Sequence, residues 1–280
     1  MGKAQDIETA GGGRIVVFAD SVEFTGAGDK LQANARPYQG RDAKYALAGG
    51  SGGYIYVATS NQYNENRIDP VATISAVGGF GTQGAFSGSG GVIVLDDNFA
   101  IPVEQVSANG GTADVETEGG CGNGAAGTIW YRPEDALYVD NKDTETDKMT
   151  VVTIPPASQV PEQPEVLAKK LVVQGRSNLG VQGEHRSVAF DELEMHSHSK
   201  VSLGETKDKL KVLFRESAQI SATSTLDFSA IQWVALTTDF DGEGQNDVIT
   251  VGTVVYQHFL AIKAPHVNVV GPIAMVNTTD

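Results

Sequence analysis

The chain has 280 residues, of which 33 are glycine, 20% are charged and 40% are hydrophobic, and its formal net charge is −15. This balance excludes a disordered chain, which would combine low hydrophobicity with high charge density. It also excludes collagen, because no three-residue glycine period exists. The acidic charge and the lack of a basic stripe disfavour nucleic acids and anionic membranes as partners. Divalent cations and uncharged or basic surfaces remain open as partners.

Residues 10–141 are predicted to be a repeat array. Four times, a glycine before x-Ile opens a short β-rich run, and the isoleucines follow one another at steps of 40, 38 and 36 residues. They are Ile15, Ile55, Ile93 and Ile129. A glycine turn that feeds a strand at a near-constant period is typical of stacked repeats. We expect these isoleucines to form one buried row.

Each repeat also carries a second strand signal between the isoleucines. It lies at residues 31–35, 74–78 and 106–110, where an apolar and a polar residue precede alanine. Each unit is therefore predicted to contain two strands and about two coils of roughly 20 residues. The small residues would allow sharp corners between sheets.

The glycine clusters at 49–53, 78–91 and 119–127 admit two other interpretations. They could be flexible linkers, or cradles for phosphate, which need a following helix whose N-terminus faces the anion. Their regular spacing disfavours linkers. Strands follow them instead of helices, and no lysine comes after the glycines, which disfavours a phosphate site.

Residues 142–165 change character and are predicted to be a crossing between two subregions. A polar turn at 142–148 leads to a strand at 150–154, and four prolines follow within ten residues. Proline resists both helices and central strands. We therefore divide the chain into a glycine-rich part (1–141), this proline-rich crossing and a glycine-poor continuation (166–280).

The continuation is predicted to be strand-rich, with short apolar runs every eight to twelve residues. The runs lie at 171–173, 179–181, 188–190, 201–203, 210–214, 220–222, 226–228, 248–251, 259–262 and 267–269. This cadence does not itself decide between parallel and antiparallel pairing. Continuity with the first part favours one fold class throughout: an elongated, all-β, right-handed parallel β-helix, or β-solenoid.

No transmembrane segment and no disulfide are predicted. No run of about 18 apolar residues exists, and the single cysteine, Cys121, lies in a glycine loop and is expected to be an unpaired thiol without a role. The N-terminus lacks a charged-then-apolar signal region. Because the chain begins almost inside a repeat, we expect it to be a piece of a longer protein.

The chain resembles the large glycine-rich, repeat-bearing cell-surface proteins of plants, algae and protists. The resemblance covers most of the chain, and its most specific block is Gly-Ala-Ala-Gly-Thr-Ile-Trp-Tyr at 124–131. Further blocks lie at 11–15, 49–57, 74–79, 137–141 and 244–272. The resemblance implies a β-helical surface or wall component, secreted or membrane-anchored, and supplies no catalytic residues. The signal and anchor segments expected of a full-length member are not found in this sequence.

The sharpest chemical motif lies between two predicted strands at 233–236 and 248–251. Its oxygen-bearing side chains alternate around two glycines and could wrap a hard cation such as Ca²⁺. They are Asp239, Asp241, Glu243, Gln245 and Asp247. The motif resembles the calcium loops of integrin-type and dockerin-type repeats, with Glu243 where Asp is usual. The alternative is an acidic, solvated turn without metal.

A second candidate alternates with period two after residue 191. In a strand, Glu192, Glu194, His196 and His198 would share one face. Such a stripe could bind a transition metal or respond to pH. The favoured interpretation is a solvated outer face.

The sequence contains only weak matches to catalytic motifs. Asp96 and Asp97 have no nearby His or basic partner in the sequence, and the Gly-Ser-Gly segments around Ser51 and Ser89 do not open a helix, as a nucleophile elbow requires. We therefore expect a structural, non-catalytic rod module of an extracellular surface, cell-wall or filament protein. A glycan-binding module or adhesin is the alternative, and a polysaccharide-active β-helix enzyme is third.

The expected partners are neighbouring domains of a longer chain, or identical subunits packed end to end. Neither terminal segment looks like an amphipathic cap, and uncovered strand edges invite pairing. The only N-glycosylation sequon, at Asn277, suits an exposed surface of a secreted protein.

Overall fold

The structure is a computed structural model, and it describes the greater part of the chain. The described residues are 11–26, 28–36, 48–60, 67–68, 71–82, 85–99, 101–113, 122–154, 165–183, 187–203, 211–230, 233–238, 248–257 and 259–276. Within these ranges the only helices are two 3₁₀ turns, Val103–Gln105 and Arg132–Glu134. The strands there pair in parallel, so the predicted all-β fold with parallel strands is confirmed.

The chain divides into two compact units, which are described separately. The first comprises Met1–Pro133 and Thr144–Lys148, and the second comprises Glu134–Asp143 and Met149–Asp280. The strands of the first unit are β1 (Arg14–Ala19), β2 (Glu23–Phe24), β3 (Lys30–Gln32), β4 (Tyr54–Thr59), β5 (Arg67–Ile68), β6 (Thr73–Ser75), β7 (Val92–Leu95), β8 (Val106–Ser107) and β9 (Thr128–Tyr131). They form sheets in the orders β1-β4-β7-β9, β3-β6-β8 and β2-β5.

The predicted isoleucine row is confirmed. Ile15 pairs with Ile55, Ile55 with Ile93 and Ile93 with Ile129 across the first sheet. The last three side chains are buried and Ile15, on the edge strand, is half-buried. Like residues therefore stack on like residues, because each repeat places the same residue at the same register.

The second strand signals are present as strands, and their apolar residues also form a row. Leu31 pairs with Ile74, and Ile74 with Val106, in the sheet of β3, β6 and β8. Ile74 and Val106 are buried. Each of the first three repeats therefore contributes one strand to each of two sheets, as the two strand signals predict. The prediction of about two coils per repeat is wrong, because neighbouring strands of each sheet come from successive repeats, as Ile15 and Ile55 do.

The glycines do more than form corners, which corrects the sequence interpretation. The segment that follows each strand of the second row runs beside a segment that precedes an isoleucine. Backbone hydrogen bonds join the two segments. Gly53 donates to the carbonyl of Ala33 and Gly91 to that of Ala76, each at 2.7 Å. A Cβ at Gly52 or Gly90 would overlap an alanine carbonyl oxygen. Only glycine permits this approach.

This backbone layer also decides between the other interpretations of the glycine clusters. Gly79 donates to the carbonyl of Gly50, Gly88 to that of Gly79 and Gly111 to that of Gly88, at 2.8–3.0 Å. These clusters are packed structure and not linkers. The amides of Gly79, Gly88 and Gly124, among the described residues of these clusters, are already satisfied by carbonyl oxygens, so they are not offered to a phosphate.

The second unit alternates between two sheets along the chain. Its strands are β10 (Ala136–Asp140), β11 (Thr150–Thr153), β12 (Glu165–Gln174), β13 (Asn178–Gln182), β14 (Ser187–Met195), β15 (Lys200–Leu203), β16 (Lys211–Ile220), β17 (Thr225–Phe228), β18 (Trp233–Thr237), β19 (Val248–Val251), β20 (Thr253–Tyr256), β21 (Phe259–Lys263), β22 (His266–Val269) and β23 (Ile273–Met275). One sheet has the order β10-β12-β14-β16-β18-β21, with β19 between β16 and β22. The other has the order β11-β13-β15-β17-β20-β23.

Apolar residues also stack in register in this unit. Leu171 pairs with Leu193, and Leu193 with Ala218, in the first of these sheets, and all three are buried. In the other sheet Leu179 pairs with Val201, and Val201 with Leu226. The core of the second unit thus lies between two parallel sheets whose inward residues are aligned row by row.

The turns between these sheets stack too. Arg176 and His198 lie in turns with φ of 60° and 59°, and each turn ends at a buried serine. The hydroxyls of Ser199 and Ser224 lie 3.2 Å apart, so hydrogen bonding between buried serines links one turn to the next inside the unit. The predicted strand at 220–222 is wrong in part, because Ile220 ends β16 and the next residues form such a turn.

The predicted crossing at 142–165 lies partly outside the described residues. Its strand is present as β11, in the second unit, but residues 155–164 are not described. The crossing and the domain limits therefore stay predictions.

Candidate functional site

The predicted calcium ligands lie outside the described residues. All five fall within 239–247. The strands that flank them are present as predicted, β18 before and β19 after, and both pair with the long strand β16. Among the described residues, no group of three or more His, Cys, Asp or Glu side chains is placed to hold a metal ion. Calcium binding at this motif stays a prediction.

The predicted His and Glu stripe is interrupted in the structure. Strand β14 ends at Met195, and His198 lies in a turn with φ of 59°, so it does not continue the alternation. His196 Nε2 is 3.7 Å from Glu194 Oε2. Lys170 on the neighbouring strand lies 2.8 Å from Glu194 and 3.9 Å from Glu192. The glutamates therefore belong to a cross-strand ion network on the outer face.

Two other charged pairs bridge neighbouring strands of the second unit. Asp191, largely buried at a β-bulge of β14, accepts from Arg215 Nε at 2.7 Å. Asp227 accepts from the Ser229 hydroxyl at 2.7 Å and lies 3.1 Å from Lys200 Nζ. Burial raises the pKa of Asp227, but the hydrogen bonds from Ser229 and the Lys200 ammonium outweigh it, so that this pKa lies below its ordinary value.

A groove of about 580 Å³ opens on the outer face of the first sheet of the first unit. It forms because Ala58 on β4 pairs with Phe18 on β1, while on the other side of β4 the Asp96 amide donates to the Val57 carbonyl at 2.9 Å. A small side chain thus lies between two larger ones, which leaves a trough along β4.

The walls of this groove are aromatic on one side and polar on the other. The Phe18 and Tyr56 rings lie 5.4 Å apart between centroids, tilted by 51°. The Ser60 hydroxyl donates to Asp20 Oδ1 at 2.6 Å, and Asp96 also lines the groove. Hydrogen-bond acceptor oxygens and aromatic ring faces therefore line the same groove.

Aromatic residues continue along the same outer face. Tyr56 pairs with Val94, and Val94 with Trp130, so that Tyr56 and Trp130 lie two strands apart on the outward side. Arg14 lies over the Tyr54 ring at 5.2 Å. Phe18 is 75% exposed and Val16 is 41% exposed. The first unit thus presents an apolar face to solvent opposite its isoleucine core.

Sequence reasoning missed this groove, although a signal was present. Once Ile15 and Ile55 are assigned to the core, the alternation of a strand places Phe18 and Tyr56 on the outside. Both strands are apolar on both faces, which a half-exposed strand does not require. The two adjacent aspartates considered above as enzyme residues lie in different places. Asp96 lines the groove, whereas Asp97 is exposed in the turn that follows β7.

The comparisons with known proteins give no assignment. No protein-family model, curated protein or solved structure matches the chain. None of the helices in the described ranges has the length and apolar character to cross a membrane.

Proposed function

We propose that the chain is a structural, non-catalytic rod module of an extracellular surface, cell-wall or filament protein. In this proposal each compact unit is a right-handed parallel β-helix, with coils that stack along its axis. The observation that carries the proposal is the in-register pairing of successive repeats, such as the row from Ile15 to Ile129. Stacked repeats of this kind bury a continuous core, and the stack can be lengthened by further repeats that pack in the same way.

The use of charge and hydrogen bonding supports a structural role. Lys170, Arg215 and Lys200 each bridge to a carboxylate on a neighbouring strand. In the described part of the first unit, glycine amides such as those of Gly53, Gly91 and Gly127 are bonded to the backbone of neighbouring segments. These polar groups hold one coil to the next. The extracellular placement rests on the resemblance of the sequence to glycine-rich surface proteins.

Exposed apolar residues in the last strands support assembly with a neighbour. Val269 and Met275 are 54% and 62% exposed. Their strands, β22 and β23, each pair with one strand in the described part of the chain. An uncovered strand edge is a template for another strand. We infer that a neighbouring domain or an identical subunit covers this surface by packing against it end to end.

Small-angle X-ray scattering tests the rod. A compact protein of this length has a radius of gyration of about 19 Å, and the proposal requires a clearly larger value together with a rod-like cross-section. A radius near the compact value contradicts it.

Two further experiments test the location and the non-catalytic role. Antibody labelling of intact against permeabilised cells of the source organism tests the location. Cleavage of polygalacturonate by the pure protein would contradict the non-catalytic role.

A further inference from the structure

The feature that the rod role leaves unexplained is the aromatic groove of the first unit. Phe18 is the most exposed large apolar side chain in the described residues, at 75%. Its ring is not free in solution, since it packs at 5.4 Å against Tyr56. Two rings that stiffen each other at the surface form a platform for a ligand at a small cost in side-chain entropy.

The floor of the groove suits a flat ligand. Ala58 is the small residue between Phe18 and Asp96, and the strand beneath it is paired on both sides. Because the floor is a continuous sheet, the trough keeps its width without a ligand. A ligand ring that lies in it contacts Tyr56 with one face and the polar wall with its edge.

The polar wall offers hydrogen-bond acceptors and no cation. Asp20 already holds the Ser60 hydroxyl at 2.6 Å, which fixes its carboxylate, and each carboxylate oxygen accepts more than one bond. Asp96 adds a second carboxylate. Neither Lys, Arg nor His is among the described lining residues. The groove therefore accepts from hydroxyl donors and repels anions.

From this combination we propose that the groove binds a neutral oligosaccharide of pyranose sugars with equatorial hydroxyls. Such sugars have apolar C–H faces that stack on aromatic rings, and hydroxyl edges that donate to carboxylates. Phe18 and Tyr56 are the stacking residues, and Asp20 and Asp96 are the acceptors. Trp130 lies two strands from Tyr56, about 10 Å, on the same face, where a longer chain would reach it.

Isothermal titration calorimetry with the whole protein tests the proposal. The neutral probes are cellohexaose and N-acetylchitohexaose, and the anionic contrast is hexagalacturonate. We expect saturable binding of at least one neutral probe at millimolar concentration or below, and none of the anionic one. Phe18→Ala and Tyr56→Ala should each weaken binding at least about tenfold, because aromatic anchors dominate such sites.

Matched variants separate the groove from the rest of the face. Tyr54→Ala removes an aromatic ring two residues away on the same strand, outside the groove, and should leave the affinity unchanged. Ala58→Phe adds a side chain and fills the trough, so it should abolish binding without opening a cavity. Thermal melts confirm that each variant is folded.

Three outcomes overturn the proposal. The first is a failure of both neutral probes to bind at millimolar concentration. The second is unchanged affinity in the Phe18→Ala and Ala58→Phe variants. The third is a concentration-dependent dimer that Phe18→Ala abolishes, since a second copy would then be the occupant of this face. None of these outcomes depends on whether the molecule is a rod.

Discussion

Gly91 packs its Cα directly against the carbonyl oxygen of Gly53, so that a Cβ at Gly91 would overlap this oxygen. The contact follows from the pairing of the strands, because the Val92 amide donates to the same oxygen at 2.9 Å. The glycine two residues before Ile55, Ile93 or Ile129 is thus required by the stacking of that repeat on the one before it.

Gly91→Ala should destabilise the first unit strongly. The new methyl group meets backbone atoms on the neighbouring repeat, which cannot move aside as a side chain can. We expect a loss of about 3 kcal/mol or more, measured as a shift in the urea midpoint. Gly13 is the matched control, since it occupies the same column but has no atom within 4 Å of its Cβ position. Equal losses for Gly13→Ala and Gly91→Ala would contradict this explanation.

Ile93→Ala tests the buried row. Ile93 is fully buried between Ile55 and Ile129, so its truncation should cost about 2–5 kcal/mol. Ile15→Ala, at the half-buried end of the same row, should cost clearly less. Ile93→Asp should unfold the array, because an unpaired buried charge is very costly. The row is not the core of this unit if both alanine variants melt like the parent.

The sequence was enough to predict the isoleucine row and the all-β character, whereas in the second unit the cadence of apolar runs left parallel and antiparallel pairing open. A period of 36–40 residues places Ile15, Ile55 and Ile93 in equivalent positions, and equivalent positions stack in any repeat array. The same reasoning could not place Gly53 or Gly91 in a backbone layer. That layer arises from segments of different repeats that meet in space, and no local pattern encodes which carbonyl each amide will meet.

The candidate groove was predictable only in part. The strand period fixes that Phe18 and Tyr56 face outward once Ile15 faces inward. The trough itself depends on Ala58 lying between Phe18 and Asp96, which are 78 residues apart in the chain. For His198, the period-two pattern gave a wrong expectation, because the chain turns after Met195 toward β15 in the other sheet before the pattern ends.

Asp227 should make the stability of the second unit depend on pH in acid. Its pKa in the folded state is below the ordinary value of 3.8, so the folded protein holds the carboxylate charged more strongly than the unfolded chain does. This stabilisation is complete above the unfolded pKa and is lost as the pH falls through the lower, folded pKa. Asp227→Asn should reduce stability at pH 7 and flatten the acid branch of the stability curve.

The control for Asp227 is a carboxylate on the surface. Asp147 also has a lowered pKa, chiefly because Lys148 bonds to it, but it is fully solvated. Asp147→Asn should leave the melting temperature unchanged at pH 7, since exposed ion pairs contribute little. Urea melts between pH 2 and pH 7 measure both variants. A curve for Asp227→Asn that runs parallel to the parent's would contradict the role of Asp227.

Calcium should raise the melting temperature if the acidic motif between β18 and β19 binds it. A ligand that binds only the native state stabilises it, and the stabilisation grows with the logarithm of the ligand concentration once this exceeds the dissociation constant. Asp241→Ala should remove this rise, and Asp143→Ala, an acidic residue in another turn, should keep it. Differential scanning calorimetry with and without millimolar Ca²⁺ decides. Equal shifts in both variants would assign the effect to non-specific screening.

End-to-end assembly is predicted from the exposed apolar residues of β22 and β23. The net charge of −15 repels like molecules, so added salt should promote growth of the assembly if these strands offer an open edge. Multi-angle light scattering across a salt series measures the mass. Val269→Lys and Met275→Lys should prevent growth, because charged side chains on an edge oppose pairing. Val92→Lys, on a strand paired on both sides, should not prevent it. Growth that only Val92→Lys prevents would assign the contact to the outer face, and a strict monomer at high salt and high protein concentration would exclude assembly through the last strands.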